Sequence, residues 1–434
     1  MRPALLNLLT VLTIGATVLV GGAALFLVVG APPSLRLDLR PPTQVPATTS
    51  TDTPIPPTDT PPPPTQTPTP RPSATSSATS TPFPTPTEVL SPTAGPRLVL
   101  GPYLQMPSPD EMLLVWETDR ASLGEVVFGP TEAYGSLARD TPDPNARHAV
   151  RLQSLTPGTT YHYQVLAGGN PLTPDRAFRA PPIRAAGPLR VAVYGDTQSG
   201  HDTHRAVIGQ VIRWDPDLVL HAGDLVAHGT SLQEWLTFFD IEDPLLRHTP
   251  LLTTLGNHEA ESDLYFSLFH LPGNERWYSF SIGPALFISL ELDDSAAFAE
   301  GSEQYDWLKD TLEKRPSKWI IVWGHIPPHS AWAEDSDETD IREALGPLFE
   351  AYGVDVVLSG HHHDFQRYVI EGVTYIVTGG GGGELLPITH TEDGMRAYAN
   401  EAHFTGLVIR DDTLTGDALA PGGEVLDHFI LNGP

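Results

Sequence analysis

Five apolar runs in this chain end the same way. Each leads within a few positions to a glycine and then to a side chain that carries a lone pair. Val191-Ala192-Val193-Tyr194 leads to Gly195-Asp196-Thr197-Gln198, and Leu218-Val219-Leu220 leads to Gly223-Asp224-Leu225-Val226. Leu251-Leu252 leads to Gly256-Asn257-His258-Glu259, and Trp319-Ile320-Ile321-Val322 leads to Gly324-His325. The run from Val354 to Leu358 leads to Gly360-His361-His362-His363. Apolar runs alternating with helical patterns read as buried strands of an α/β sheet. Open α/β sheets gather ligands beyond the carboxyl ends of their strands. Asp196, Asp224, Asn257, His325 and the His361/His363 pair are therefore expected to meet at one site.

Composition narrows what that site can hold. The 434 residues include 53 acidic and 25 basic ones, a formal charge of -28. Nucleic-acid binding needs a basic footprint, so no nucleic-acid partner is expected. Cysteine is absent, which excludes disulfides and thiolate sites. With 17 histidines and many aspartates, a bound metal must take nitrogen and oxygen ligands.

The chain divides into four parts. Residues 1–34 are uncharged from Pro3 to Ser34 and dominated by Leu, Val, Ile, Ala and Gly. About 20 apolar residues suffice for a helix to cross a bilayer, so an uncleaved transmembrane helix is expected there. Gly30-Ala31 is the alternative, a cleavage site that would release a secreted form. Arg2 on one side and Arg36 and Arg40 on the other nearly balance, leaving orientation weakly encoded. Residues 35–95 are rich in Pro, Thr and Ser, as in TPPPPTQTPTP from Thr60. Such a segment reads as a disordered Pro/Thr linker, extended into a stalk. Together they predict a membrane-anchored, extracytoplasmic protein. The sequence encodes no oligomeric state.

Residues 96–185 carry short strand-like runs at regular spacing: Arg97–Leu100, Met112–Glu117, Glu125–Phe128, Ala149–Leu152, Tyr161–Leu166 and Ala177–Arg179. Turn signals separate them, which predicts an all-β sandwich. Residues 186–434 carry the five motifs. Between their strands, Ala206, Val207, Val211 and Ile212 predict one helical face, and Ser231 with Glu234 a capping box. Ile341, Ala344, Leu345, Leu348 and Phe349 predict another helix, ended by Gly353. Phe404–Ile409 and Val425–Leu431 read as closing strands.

Two cations roughly 3.5–4 Å apart need a shared anionic bridge, and one carboxylate can give an oxygen to each. A water between them ionises near neutral pH and becomes a nucleophile for displacement at phosphorus. On these motifs, residues 189–383 resemble the calcineurin-like metallophosphoesterases. Residues 96–434 resemble purple acid phosphatase-like proteins. The stretch Leu155 to Tyr163 resembles the end of a fibronectin type III-like domain, where a tyrosine locks a corner, with Trp116 as core tryptophan. The resemblance implies an α/β fold, a four-layer αββα sandwich preceded by an all-β fibronectin III-like sandwich. It implies dinuclear-metal hydrolysis of a small phosphate ester, by phosphatase or phosphodiesterase action. Asp196 should bind the first metal, Asp224 bridge both, and Asn257, His325 and His361 bind the second. His363 should complete the first, and His258 serve as general acid. The cofactors would be two divalent or trivalent ions, Fe, Mn or Zn.

The chain departs from that family in two places. Purple enzymes have a tyrosine three residues after the bridging Asp, where this chain has Ala227, so a colourless protein is expected. Other branches have a histidine two residues after the first Asp, where this chain has Gln198. Gln198, His201 and His228 are the candidates to complete the first site. His362, between two ligands, should point away. Arg367 reads as an ion-pair residue or a phosphate contact, and His329 as a cleft or loop-surface residue. Gly379–Gly383 brings backbone close to the site or forms a flexible loop. The rival function is a non-catalytic, metal-stabilised surface binding protein. Hydrolysis of a non-phosphate ester is a third reading.

Overall fold

The computed structural model describes residues 95–182, 187–314, 317–332 and 336–433. The expected anchor (1–34) and all but the last residue of the expected linker (35–95) lie outside the described residues. Among the described residues no helix is long and apolar enough to cross a membrane.

The amino-terminal region is rich in sheet. Its strands are β1 (Leu98–Gln105), β2 (Glu111–Ser122), β3 (Gly124–Gly129), β4 (Ser136–Arg139), β5 (Asn145–Gln153), β6 (Thr160–Ala167), β7 (Asn170–Pro171) and β8 (Arg176–Arg179). They form a β1-β2-β5 sheet and a β4-β3-β6-β7 sheet to which β8 adds by pairing with β6. Met112, Leu114 and Trp116 of β2 pack on Val126, Phe128, Tyr163 and Phe178 of the other sheet. The Tyr161 hydroxyl accepts from the Thr156 N–H at 2.9 Å, tying strand to corner. β4 and β7, short and largely exposed, left no apolar run to read.

β2 explains why its run is apolar without alternation. Leu113 and Val115, on the opposite face from Trp116, join the core built by the strands and helices that follow. Tyr103 of β1 packs there on Phe239 at 4.6 Å between ring centroids. The strand is thus buried on both faces, which removes the polar positions an exposed face would show.

The remaining strands are β9 (Leu189–Tyr194), β10 (Leu218–His221), β11 (Leu251–Thr253), β12 (Tyr278–Ile282), β13 (Ala285–Ser289), β14 (Trp319–Trp323), β15 (Val356–Ser359), β16 (Phe365–Ile370), β17 (Val373–Thr378), β18 (Met395–Ala399), β19 (Phe404–Ile409), β20 (Thr413–Leu419) and β21 (Val425–Asn432). The helices are α1 (His201–Trp214), α2 (Leu232–Leu246), α3 (Asp263–Leu268), α4 (Ser295–Phe298), α5 (Glu303–Lys314) and α6 (Ser336–Tyr352). One sheet runs β11-β10-β9-β19-β20-β21, and the other β12-β13-β14-β15-β17-β16-β18.

Period-2 alternation in the second sheet sorts its residues into two layers. Phe287, Ile321, Trp323, Val356 and Leu358 share a core with Val191, Val193 and Leu407 of the first sheet. Leu286, Ile288, Ile320, Val322 and Val357 face Leu308 and Leu312 of α5 and Ile341 and Leu345 of α6. α1 and α2 cover the other side through Val207, Ile208, Trp235 and Phe238. Two facing sheets are thus covered on their outer sides by helices.

Two helical expectations need correction. The buried stripe of α1 is His204, Val207, Ile208 and Val211, while Ala206 is exposed and Ile212 is 40% exposed. Polar His204 takes a core position because Glu242, also buried, accepts from it at 2.8 Å. Ser231 caps α2 by accepting from the Glu234 N–H. The Glu234 carboxylate does not take the Ser231 backbone N–H; it accepts from the His228 backbone N–H at 2.8 Å. The Ser231 N–H is already donated to the His228 carbonyl.

Candidate active site

All six expected ligand residues converge. Asp196, Asp224 and Asn257 follow β9, β10 and β11 of one sheet. His325, His361 and His363 follow β14 and β15 of the other. Asn257 Oδ1 lies 3.0 Å from His325 Nε2 and 3.2 Å from His361 Nδ1. His361 Nδ1 is 3.4 Å from His325 Nε2, which is 3.4 Å from Asp224 Oδ2. On the other side of Asp224, His363 Nε2 is 3.5 Å from Asp196 Oδ1. Asp196, Asp224 and His325 each offer a ligand atom, all within 4.8 Å of one another, and so form a group that could hold a metal ion.

Second contacts fix which atoms face inward. The Ala222 carbonyl accepts from His325 Nδ1 at 2.8 Å, and the Glu384 carbonyl from His363 Nδ1 at 2.7 Å. In the neutral rings both Nε2 atoms therefore present lone pairs to the carboxylates and to Asn257. A proton or a cation must lie between such atoms. Bonds of ~2.1 Å put neighbouring ligand atoms ~3.0 Å apart in an octahedron and ~3.4 Å apart in a tetrahedron. The observed spacings fit those edges, so the donor set suits metal ions.

The backbone is shaped to the same end. Asp196, Asp224 and His361 hold φ of 61°, 55° and 69°, a region other than glycine seldom occupies. A Cβ on Gly360 would lie 2.5 Å from Asp196 Oδ2, and one on Gly256 would run into Asp224. These two glycines are therefore needed for close approach. The glycine-rich run also comes close: the Gly383 N–H donates to the Asp196 carbonyl at 2.6 Å.

Glu259 has a role that sequence reasoning missed. Its buried carboxylate accepts from the N–H groups of Asp224 (2.8 Å), Leu225 (2.9 Å), Val226 (3.3 Å) and Gly256 (2.9 Å). It thereby clamps two ligand loops together. Burial and the Asp224 charge push its pKa up to about 8, against those donors. Its signal was available, as a glutamate ending the Gly256-Asn257-His258-Glu259 motif.

The electrostatics follow from burial and proximity. Burial raises the Asp196 pKa well above the carboxylate range. Burial also pushes Asp224 up, but His325 and His258 outweigh it and hold Asp224 at about 2. Burial opposes charge on His325, yet Asp224 and Asp196 raise its pKa well above the ordinary value. His361 is driven down to about 3 by burial and by His325, so it stays neutral, the form a metal takes.

The remaining candidates separate clearly. His258 Nδ1 donates to the Ala227 carbonyl at 2.9 Å, leaving Nε2 3.7 Å from Asp224 Oδ2 on a side chain 41% exposed. His362 points away and bonds Glu338 of α6. Arg367 forms a bidentate pair with Asp427 at 2.6 and 3.0 Å. His329 belongs to neither of its two expected places. It is buried against Tyr375 at 4.6 Å and bonds Glu392 at 3.4 Å. The aromatic face of β16 and β17 draws it inward.

A two-sheet α/β sandwich with a mixed carboxylate, amide and imidazole cluster at its strand ends defines a metallophosphoesterase. The calcineurin-like phosphoesterase family signature matches residues 189–365. The chain is 30% identical over 325 residues to human (Homo sapiens) acid phosphatase type 7, covering 64% of this chain and 72% of that one. It is 27% identical over 297 residues to probable purple acid phosphatase 20 of Arabidopsis thaliana, covering 61% and 68%. In structure it is similar to a purple acid phosphatase from yellow lupin (Lupinus luteus) seeds, with a TM-score of 0.66 and 22% identity over 76% and 74% of the chains. The chain belongs to the calcineurin-like phosphoesterase family, has purple acid phosphatases as homologues, and is a phosphoric ester hydrolase.

Proposed function

We propose that the protein hydrolyses small phosphate monoesters or diesters with two metal ions held by the converging side chains. The carrying observation is that Asn257, His325, His361 and Asp224 stand in neighbouring pairs 3.0–3.4 Å apart, that His363 and Asp196 form a pair at 3.5 Å, and that Asp196, Asp224 and His325 offer atoms within 4.8 Å of one another. Asp196 and His363 would hold the first ion, Asn257, His325 and His361 the second, and Asp224 both. When bound, the ions supply a nucleophile from water at neutral pH and offset charge at the phosphoryl group.

The chain's own residues do the rest. Glu259 fixes the Asp224 loop, so the bridge cannot drift. The Ala227 carbonyl holds His258 Nδ1–H, which leaves Nε2, 3.7 Å from Asp224 Oδ2, as the atom that would hand a proton to the leaving oxygen. Ala227 brings no phenolate, so an iron-loaded form lacks a charge-transfer colour.

We assign residues 96–185 as a fibronectin III-like sandwich and 186–434 as the catalytic domain. Residues 1–34 would anchor the protein and 35–95 space it from the membrane, outside the cytoplasm; this part rests on sequence. The test is metal analysis of purified protein, then turnover of aryl phosphate mono- and diesters with Mn²⁺, Fe or Zn²⁺. Two ions per chain and activity lost to a chelator are expected. Metal-loaded protein that turns over neither ester overturns the reading and favours the binding-protein rival.

A further inference from the structure

The proposed ligand set leaves the first ion with only three protein side chains: Asp196, Asp224 and His363. We propose that Gln198 is the fourth, binding through its amide oxygen Oε1; this rests on the two-ion reading above.

Position eliminates the other candidates. His201 is the exposed first residue of α1. His228 is 75% exposed and its Nδ1 bonds Glu234 at 2.9 Å. Gln198 is 9% exposed and sits inside the cluster. Its amide nitrogen lies 3.2 Å from His363 Nε2 and 3.5 Å from Asp224 Oδ2. Both of those atoms carry lone pairs directed at it, because His363 gives its Nδ1–H to the Glu384 carbonyl.

The amide oxygen supplies the second observation. Gln198 Oε1 is buried with no hydrogen-bond partner among the described residues. A buried acceptor left unpaired costs about 1–3 kcal/mol. A half-turn about the last side-chain bond exchanges oxygen and nitrogen without changing shape. That turn puts Oε1 about where the amide nitrogen stands, beside His363 Nε2 and Asp224 Oδ2, and His363 Nε2 in turn lies 3.5 Å from Asp196 Oδ1. The spacings again match ligand-polyhedron edges.

The loop is built to hold the amide there. Thr197 Oγ1 donates to the Leu225 carbonyl at 3.0 Å, tying the first ligand loop to the second. A Cβ on Gly381 would lie 2.9 Å from the Thr197 methyl, so the glycine run closes over it. The competing role for Gln198 is that of a donor, its NH₂ bridging His363 and Asp224. The two roles make opposite demands on a carboxylate at the same reach.

The experiment titrates Mn²⁺ into chelator-stripped full-length protein by calorimetry, with metal content after dialysis as a second readout. Wild type, Gln198→Leu, Gln198→Asn and Gln198→Glu are compared, with thermal melts to confirm folding. Leu removes the oxygen, Asn shortens its reach, and Glu keeps an oxygen and adds charge. The expected result is that Leu and Asn weaken one of two sites about 10–100-fold and leave the other unchanged. Glu restores two sites, one of them tighter than in wild type. Two unchanged sites in Gln198→Leu overturn the proposal. So does a Glu variant as weak as Leu, which is the donor outcome. Fewer than two ions in wild type would instead sink the two-ion reading itself.

Discussion

The two sheets deliver different atoms to the site. The six-stranded sheet supplies Asp196, Asp224 and Asn257, whose short side chains end in oxygen. The seven-stranded sheet supplies His325, His361 and His363, which bring nitrogen across a longer reach. The short residues demand more of the backbone, since both aspartates hold positive φ. The longer imidazoles are aimed by carbonyls, as Ala222 aims His325 and Glu384 aims His363. Asp196 and Asp224 are thus placed by main-chain conformation, and His325 and His363 by hydrogen bonds. His361 is the exception, for it has φ 69° as well.

Breaking the oxygen side at its shared atom has the largest expected effect. Asp224→Asn should lower kcat/KM on the order of 10³-fold or more and release both ions, seen by kinetics and metal analysis. A variant that keeps both ions and full activity would remove Asp224 as the bridge. His361→Ala, on the nitrogen side, should weaken a single ion by ~100-fold while the other persists. Loss of both ions there would show that the pockets are not separable. His258→Ala should cost about 10²-fold in kcat with metal content unchanged. A fall in metal content instead would make His258 a ligand rather than an acid.

Gly360→Ala crosses the comparison, because it lies on the nitrogen strand but meets Asp196 Oδ2 at 2.5 Å. It should destabilise the fold by about 1–3 kcal/mol and weaken the first ion more than the second. Chemical denaturation and calorimetry check this.

The smallest effect concerns the support beneath the glycine run. His403 donates to the Glu401 carbonyl at 2.9 Å and packs where a Cβ on Gly380 would fall. Burial lowers its pKa from 6.5 to about 4. The folded state therefore binds its proton more weakly than the unfolded chain. Its contribution is fully present above pH 6.5 and is lost as pH falls toward 4, up to about 3 kcal/mol. Urea denaturation from pH 7 to 4.5 should show His403→Asn losing less stability than wild type over that window. Equal losses would remove His403 as the cause.

The motifs made most of the site legible before any fold was known. A glycine followed by Asp, Asn or His at a strand end is a local pattern, and strand ends in an open α/β sheet converge. The same locality limited what could be read. Gln198, with His201 and His228 as nearby substitutes, stayed open as letters, and the packing of the first loop is what separates them. Glu259 lay in plain view within a motif, but its partners come from two loops. His329 was misplaced because its pairing with Glu392 joins residues far apart in the chain.

By itself, the sequence determined the strands and the residue types gathered at their ends, since these depend on apolar runs and on chemistry carried by single residues. Tertiary structure decided which of several polar residues face the cluster and why β2 is apolar on both sides. It also decided how positive-φ backbone and glycine contacts set the ligand spacing. Those depend on distances between segments remote in sequence, which no local pattern encodes.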